Sequence, residues 1–175
     1  MLIIQFTGLS GSGKTTLACK VKQLLALQKI DVEIIDGDVY RKTLCKDLGF
    51  SKEDRCENIR RLGRVANELA LKADVVIIAA INPFEHIRRE LNQQYNAKIV
   101  WIRCPPDELL KRDTKGLYKR ALLPAGHPDK VYNFTGISDD YDQPTEHDLV
   151  ISTDTEGIDS SGQKLSDFII SRLSR

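Results

Sequence analysis

The chain alternates short apolar runs with long stretches of helix-like sequence. The apolar runs are rich in β-branched residues and lie at 2–6, 32–35, 75–81, 99–103 and 149–151. Because they are apolar nearly throughout, these runs suit strands that are covered on both faces, as in a parallel sheet. We therefore predict an α/β fold, a three-layer sandwich in which helices flank a mostly parallel, five-stranded sheet.

The clearest helix signal begins at Ser51. This residue is a suitable N-cap, and the carboxylate of Asp54 follows three residues later. Apolar residues then recur at helical spacing, at Ile59, Leu62, Ala66 and Leu69. Arg55 and Asn58 are three residues apart and share a helix face, so we expect them to be able to contact one ligand together.

Glycine and proline interrupt the sequence between residues 115 and 144. The breakers are Gly116, Pro124, Gly126, Pro128, Gly136 and Pro144. A long ordered loop in a compact domain is usually functional, so we predict a lid and call residues 114–144 the lid segment. The 175 residues suit one hydrophobic core, and we predict a single domain over residues 1–175.

The charge balance argues against a polyanionic partner. Lys plus Arg number 26 and Asp plus Glu number 25, which gives a net charge of +1 and no overall attraction to nucleic acid or to an anionic membrane. No apolar run approaches the roughly 20 residues that a membrane helix needs, and the N-terminal sequence lacks the features of a signal peptide. We predict a cytoplasmic protein with no nucleic acid or membrane partner; a homodimer stays open.

The cysteines do not form a recognisable metal or redox motif. Cys19, Cys45, Cys56 and Cys104 are widely spaced, and the three histidines do not complete a zinc site. We predict four buried, reduced and structural thiols.

A phosphate-binding motif follows the first apolar run. Residues 8–15 read GLSGSGKT and satisfy G-x-x-x-x-G-K-[ST], between a predicted strand and a predicted helix. In such a loop, backbone N–H groups surround phosphate oxygens and the lysine faces the outer phosphates. We predict that ATP and Mg²⁺ are the cofactors and that Thr15 is a metal ligand. The predicted cofactor-binding residues here are Gly8, Ser10, Gly11, Ser12, Gly13, Lys14, Thr15 and Thr16.

Other motifs separate a kinase from the remaining P-loop classes. A GTPase would need an Asn-Lys-x-Asp-like guanine reader at a late strand end, and the sequence has none there. A motor ATPase is generally larger and would carry an acidic residue after the third strand, where this chain reads INPF at 81–84. A compact kinase therefore fits best.

Five motifs in one order resemble those of adenylylsulfate kinases, which phosphorylate the ribose 3′-hydroxyl of adenosine 5′-phosphosulfate. They are GLSGSGKTT at 8–16, DGDVYR at 36–41, LGFSKEDRCENIRR at 48–61, KGLY at 115–118 and NFTGI at 133–137. The resemblance extends from residue 1 to about residue 155. It implies a P-loop kinase with this activity in sulfate assimilation.

The resemblance also implies roles for individual residues. Asp38, Arg41, Arg55, Asn58, Ile81, Asn82 and Lys115 match acceptor-side positions, Phe50 and Phe134 match two aromatics that sandwich the acceptor base, and Arg112 and Thr153 match positions that pack the ATP adenine. Each of the polar residue types suits its role chemically, since a guanidinium binds phosphate or sulfate and a carboxylate can take a hydroxyl proton.

We expect in-line transfer of the γ-phosphoryl group, with catalysis mainly by positioning and charge neutralisation. Lys14 and Lys115 would hold the phosphoryl group, and Asp38 would orient or deprotonate the attacking hydroxyl, with Asp36 as the second choice. Closure of the lid segment would exclude water.

Two departures from the family bear on the acceptor. Many family members carry a serine, sometimes assigned as a phosphorylated intermediate, where this chain has Asn82; asparagine cannot accept that phosphate, so direct transfer is the simpler scheme. The stretch 122–132 is also longer than usual. The first alternative is therefore a 3′-hydroxyl kinase of another nucleotide, such as cytidine diphosphoramidate in capsule synthesis. The second is a nucleotide-binding regulatory module without turnover.

Overall fold

The computed structural model describes residues 1–173 and contains one fully parallel sheet. Its five strands have the spatial order β2-β3-β1-β4-β5. The strands are β1 (Leu2–Thr7), β2 (Val32–Asp36), β3 (Val75–Ala79), β4 (Lys98–Arg103) and β5 (Leu149–Ser152). Every neighbouring pair is parallel, so the carboxyl ends of all the strands lie at one edge.

Helices cover both faces of this sheet, which confirms the predicted three-layer α/β sandwich. The helices are α1 (Lys14–Ala26), α2 (Gly37–Tyr40), α3 (Lys52–Leu69), α4 (Glu85–Tyr95), α5 (Pro106–Arg112), α6 (Leu117–Ala121) and α7 (Ile158–Leu173). On one face, Leu17 and Leu25 of α1 and Leu165 of α7 pack against Ile4 and Phe6 of β1. Burial of such side chains contributes roughly 1.5–3 kcal/mol each.

The opposite face is covered by α3 and α4. Leu62 of α3 and Leu91 of α4 are buried with Ile35, Val76 and Ile78 of the sheet. Successive strand residues point to opposite faces, which explains why the apolar runs of the sequence do not alternate with polar residues. A third, smaller apolar cluster lies under the lid segment around Leu109, Tyr118, Ala121 and Phe134.

The third strand is shorter than the sequence predicts. The apolar run at 75–81 suggested a strand to residue 81, but β3 ends at Ala79. Beyond it, the carbonyl of Ile81 accepts from the N–H of Gly8 at 3.1 Å, and Asn82 takes a positive φ of 46°. The backbone leaves the sheet here because it bonds to the start of the glycine-rich loop.

The N-terminus of α3 forms as predicted. The Ser51 hydroxyl accepts a hydrogen bond from the backbone N–H of Asp54 at 3.1 Å, which satisfies one of the free donors of the first turn. Ile59, Leu62 and Ala66 are buried, as their spacing indicates.

The prediction of four buried cysteines is wrong for Cys19. Cys45, Cys56 and Cys104 are buried, but Cys19 is exposed on α1, because it lies on the face of the helix that turns away from the sheet. All four thiols are free. Among residues 1–173, no helix is long and apolar enough to cross a membrane.

Replacement of the α3 N-cap tests the account of this helix. Ser51→Ala should lower the free energy of unfolding by about 1 kcal/mol, because the N–H of Asp54 loses its side-chain acceptor. Denaturant unfolding measures the change. Ser171→Ala, which removes a hydroxyl that donates to a carbonyl inside α7, is the control, and equal losses in the two variants would contradict the capping role.

Candidate active site

A cavity of about 580 Å³ opens at the carboxyl edge of the sheet. Ligands of open parallel sheets bind at this edge. Its walls combine the glycine-rich loop, the residues after β2 and β3, the start of α3 and the beginning of the lid segment. Predicted site residues in its lining are Ser10, Gly11, Gly13, Lys14, Thr15, Thr16, Asp36, Asp38, Arg41, Phe50, Arg55, Asn58, Ile81, Asn82 and Lys115.

The glycine-rich loop requires glycine at two positions in particular. A Cβ at Gly8 would lie 2.4 Å from the carbonyl oxygen of Ile102, so a side chain there would collide with β4. Gly13 has a φ of 93° and is the N-cap of α1, a left-handed conformation that glycine adopts without strain. The loop therefore curls tightly and leads directly into the N-terminus of α1, where N–H groups are free to bind an anion.

Lys14 lies under this loop with its charge close to backbone oxygens. Its Nζ donates to the carbonyls of Gly8 and Leu9 at 2.8 and 2.7 Å and to the Ser12 hydroxyl at 3.3 Å. Burial lowers the pKa of Lys14 to about 7, although the carboxylate of Asp38 opposes this effect. An anion in the cavity would favour the protonated amine.

Thr15 and Asp36 place two oxygen atoms side by side at the cavity wall. The Thr15 hydroxyl donates to Asp36 Oδ2 at 2.7 Å, while Asp36 Oδ1 accepts from the backbone N–H groups of Asp38 and Val39. Asp36 thus caps α2 and faces Thr15. Hydroxyl and carboxylate oxygens are ligands that Mg²⁺ prefers, and within residues 1–173 no cluster of three or more histidine, cysteine or acidic residues offers a larger metal cage.

Asp38 and Lys115 meet across the mouth of the cavity. The ammonium of Lys115, at the start of the lid segment, donates to Asp38 Oδ2. The Lys115 side chain is 53% exposed and the Asp38 side chain is 72% exposed, so solvent weakens their attraction. The pair connects the lid segment to α2 by a contact that a charged ligand can replace.

Two arginines and an aromatic ring line the other half of the cavity. The guanidiniums of Arg41 and Arg55 lie 4.9 and 5.4 Å from the centre of the Phe50 ring. Burial lowers the pKa of Arg41, and the neighbouring charge of Arg55 adds to this effect. Phe50 is 56% exposed, which leaves much of its ring surface available for stacking.

Two buried amide oxygens in the cavity wall have no hydrogen-bond partner. They are Oδ1 of Asn58 and Oδ1 of Asn82. The Asn82 amide is oriented by Gln5, since Nδ2 of Asn82 donates to Gln5 Oε1 at 2.8 Å. A buried acceptor without a donor carries a desolvation cost, so a ligand that brings hydroxyl or amino groups would be favoured here.

Phe134 does not line this cavity. It is 8% exposed and packs edge-on against the Tyr118 ring, with centroids 4.9 Å apart. Phe50 alone presents its ring to the cavity. The pairing of the two rings around a base therefore stays a prediction, and it would require movement of the lid segment.

Arg112 and Thr153 lie together on the outer side of the glycine-rich loop. Arg112 donates to the Thr153 carbonyl at 2.7 Å, and the Thr153 hydroxyl donates to the carbonyl of Ser12 at 3.0 Å. This contact is outside the main cavity, next to Gly13, whose added Cβ would lie 3.8 Å from Thr153. Gly8 and Ser12 belong to the glycine-rich loop but do not line the cavity.

Sequence reasoning missed two residues that join the lid segment to the site. The Tyr118 hydroxyl donates to the carbonyl of Ser10 at 2.9 Å, and Asp139 accepts from Arg55 Nη2 at 3.0 Å. Asp139 also lines a second cavity of about 260 Å³, which shares Phe50 and Arg55 with the first. Tyr118 belongs to the motif at 115–118, but no local signal in the sequence identifies Asp139.

Comparison with known proteins gives one consistent family. The family model for adenylylsulphate kinase matches residues 1–152. An adenylyl-sulfate kinase of Picosynechococcus sp. is 42% identical over 163 residues, which cover 93% of this chain and 89% of that protein. One of Chloroflexus aurantiacus is 46% identical over 154 residues, 87% of this chain and 80% of the relative.

A solved structure agrees with these sequence matches. The APS kinase of Mycobacterium tuberculosis in complex with AMPPNP and APS superposes with a TM-score of 0.86 at 35% identity, and the match covers 97% of both chains.

The low pKa of Lys14 predicts a proton uptake when ATP binds. At pH 8 most Lys14 side chains of the free protein are neutral, since their pKa is about 7. Phosphate oxygens beside the amine should raise this pKa again, so binding of MgATP at pH 8 should take up close to one proton, against about half a proton at pH 7.

Calorimetric titration in buffers of different ionisation enthalpy measures this uptake. Lys164→Met should preserve it, because Lys164 lies on α7 and pairs with Glu156 away from the cavity, and Lys14→Arg should abolish it, because arginine stays charged. Binding of MgATP to the unsubstituted protein at pH 8 without proton uptake would show that Lys14 is already charged.

Proposed function

Because the chain belongs to the adenylylsulphate kinase family, we propose that it transfers the γ-phosphoryl group of ATP to the ribose 3′-hydroxyl of adenosine 5′-phosphosulfate. The products are ADP and 3′-phosphoadenosine 5′-phosphosulfate. The observation that carries this proposal is the shared cavity, in which the glycine-rich loop and the arginine-rich wall face one space. A donor and an acceptor bound there would meet without a large domain movement.

The glycine-rich loop would hold the ATP phosphates. Backbone N–H groups of the loop and the N-terminus of α1 would surround the phosphate oxygens, and protonated Lys14 would lie beside the outer phosphates. Arg112 and Thr153, which are hydrogen-bonded to each other outside the cavity, would border the adenine. Phosphate positioning and adenine packing thus fall on two sides of the same loop.

The opposite wall would hold the acceptor. The guanidiniums of Arg41 and Arg55 can bind phosphate or sulfate oxygens, and the exposed ring of Phe50 can stack on a base. Asn58 and Asn82 supply unpartnered amide oxygens that suit ribose hydroxyls. Each of these contacts replaces an internal contact or satisfies an unpaired atom, so acceptor binding adds little strain.

Asp38 is the residue that we assign to the attacking hydroxyl. It lies in α2, directly after β2, and is 72% exposed at the cavity mouth. When Lys115 turns from Asp38 to the transferring phosphoryl group, the carboxylate becomes free to accept the proton of the 3′-hydroxyl. Asp36 is less suited to this role because its two oxygens already accept from Thr15, Asp38 and Val39.

Thr15 and Asp36 fit a magnesium ion. Their adjacent oxygens, 2.7 Å apart, match an ion that uses one or two protein ligands together with phosphates and water. When bound, Mg²⁺ neutralises part of the phosphate charge. The protein contribution is to keep the Thr15 hydroxyl and the Asp36 carboxylate on the phosphate side of the loop.

The lid segment would close over both substrates. It contacts the donor side through Tyr118 and the acceptor side through Asp139, so its position depends on both halves of the cavity. Exclusion of water would protect ATP from hydrolysis. A location in the cytoplasm and a homodimer stay predictions.

A second candidate acceptor is a cytidine nucleotide such as cytidine diphosphoramidate. The burial of Phe134 favours it, because only one ring then faces the cavity and a single pyrimidine needs less stacking surface than a purine. The longer stretch 122–132 lines neither cavity, but it leads into Asn133, whose carbonyl accepts from Arg55. The ATP half would be unchanged.

Substitution of the proposed base tests the mechanism. Asp38→Asn keeps the size of the side chain but cannot take a proton, so kcat should fall on the order of 10²-fold or more while the affinity for ATP changes little. Steady-state kinetics with saturating ATP measures the loss. Asp47→Asn, a change to an exposed carboxylate paired with Arg61 away from the cavity, is the control; an unaltered kcat in Asp38→Asn would transfer the role to Asp36.

Truncation of the aromatic rings tests the acceptor. Phe50→Ala should weaken acceptor binding roughly 5- to 150-fold if a purine stacks there, which corresponds to about 1–3 kcal/mol, with the KM for ATP nearly constant. Phe134→Ala should do the same only if the lid segment brings that ring to the base. The rings are compared by kcat/KM for adenosine phosphosulfate and for cytidine diphosphoramidate, with product identification.

Phe168→Ala on α7, on the other face of the sheet, is the matched control for loss of an aromatic ring. Turnover of the cytidine compound by the unsubstituted protein at least about tenfold better than that of adenosine phosphosulfate would replace the acceptor and leave the kinase assignment intact.

A further inference from the structure

A completely buried arginine lies beneath the active site. Arg88 of α4 has no exposed surface, and its guanidinium is surrounded by oxygen atoms. Nε and Nη2 donate to Glu85 Oε2 at 3.1 and 2.5 Å. Nη1 donates to the carbonyl of Asn82 at 2.9 Å and lies 3.4 Å from the Thr7 hydroxyl, and Nη2 also donates to the carbonyl of Asp142 at 2.7 Å.

Tyr141 extends this network to the first strand. Its hydroxyl shares a hydrogen bond of 2.9 Å with the Thr7 hydroxyl, and its ring centre is 6.0 Å from the Arg88 guanidinium. The next residue, Asp142, donates its N–H to the Pro83 carbonyl at 2.9 Å and accepts from the N–H of Glu85 at 3.0 Å. Residues 141 and 142 are therefore attached beside the sheet edge by four hydrogen bonds and one contact between a guanidinium and a ring.

The contacts of Arg88 belong to three segments that build the active site. Thr7 immediately precedes the glycine-rich loop, Asn82 is in the cavity wall, and Tyr141 and Asp142 lie near the end of the lid segment. A buried charge is tolerated only when its donors are satisfied. The fork of an arginine can satisfy several oxygens at fixed angles, which a lysine cannot do.

We propose that Arg88 is a positioning residue that fixes the C-terminal end of the lid segment to the sheet edge and thereby aligns the acceptor half of the site. Arg88 acts through Tyr141, Asp142 and the Asn82 backbone and does not contact substrate. The lid segment can then close as a flap whose far end stays anchored, while contacts such as Lys115 with Asp38 exchange. Without the anchor, Asp139 loses its fixed distance from Arg55, which stays bonded to the Phe50 carbonyl.

Two variants test this role, one with a small and one with a large change to the hydrogen-bond network. Tyr141→Phe removes one hydroxyl and leaves the ring, so the fold should persist. Arg88→Lys keeps a buried charge but cannot reach all the acceptors. Amide hydrogen exchange of residues 139–146 in the free protein should accelerate about tenfold or more in both variants, while exchange in α1 and α7 stays unchanged.

Kinetics gives the second readout, which rests on the proposed function. The kcat/KM for the acceptor should fall roughly 10- to 100-fold in Arg88→Lys and less in Tyr141→Phe, with the KM for ATP within about twofold of the original value. Arg60→Lys is the matched control, because Arg60 also forms a two-bond pair with a glutamate, Glu90, between α3 and α4, but contacts no part of the lid segment.

The outcomes separate the two proposals. Faster exchange at 139–146 together with a selective loss on the acceptor side supports the anchor. Exchange in Tyr141→Phe that matches the unsubstituted protein, or an equal acceleration across all helices in Arg88→Lys, would overturn it and leave Arg88 as a general stabilising residue. If the unsubstituted protein turns over no acceptor, the proposed function fails, and the exchange data alone decide the anchor.

Discussion

The parallel pairing of β1 with β3 and β4 is the constraint on which the remaining structure depends. Because β1 lies between these strands, the glycine-rich loop leaves the middle of the sheet edge with Ile81 on one side and Ile102 on the other. The close approach of Gly8 to the Ile102 carbonyl and the bond from its N–H to Ile81 fix where the loop starts. The backbone geometry of the sheet edge therefore determines where the active site lies, and the charged side chains take their positions from it.

In the free site, the side chains that would bind ligands already form hydrogen bonds within the protein. Lys14 bonds to loop carbonyls, Lys115 to Asp38, Arg55 to Asp139, and Thr15 to Asp36. Each cation or hydroxyl has a partner that anionic or metal ligands can replace, so binding exchanges contacts and does not bury unpaired charge. The low pKa of Lys14 follows from its burial, because an amine removed from water is more stable when neutral.

Features carried by local patterns could be predicted from the sequence. The five apolar runs gave the strands, the glycine and lysine pattern at 8–15 gave the loop, and Ser51 with Asp54 gave the start of α3. Residues whose roles depend on contacts with distant parts of the chain could not be predicted from the sequence. Nothing near Asp139 in the chain indicates that it pairs with Arg55, and nothing near Arg88 indicates that three other segments meet around it. The apolar run at 75–81 also predicted a strand two residues too long, since the carbonyl of Ile81 accepts from the N–H of Gly8 and the side-chain hydroxyl of Thr7 and does not continue the regular strand pairing.

In the proposed function, the selection of the acceptor depends on a segment that has a small apolar cluster of its own. The proposed donor half is formed by β1 and α1, which share one buried core, and by the glycine-rich loop, whose Leu9 packs against the small cluster under the lid segment. The acceptor half includes the lid segment, whose apolar residues form a separate small cluster around Tyr118 and Phe134. Phe134 can face a base only if it leaves that cluster. Leaving the cluster exposes apolar surface, and a stacked purine must supply the free energy that this exposure costs. A large base can supply this free energy through two faces, whereas a smaller base is bound more economically with Phe134 left in place. The balance between the small cluster and base stacking thus links the packing of the lid segment to the identity of the nucleotide.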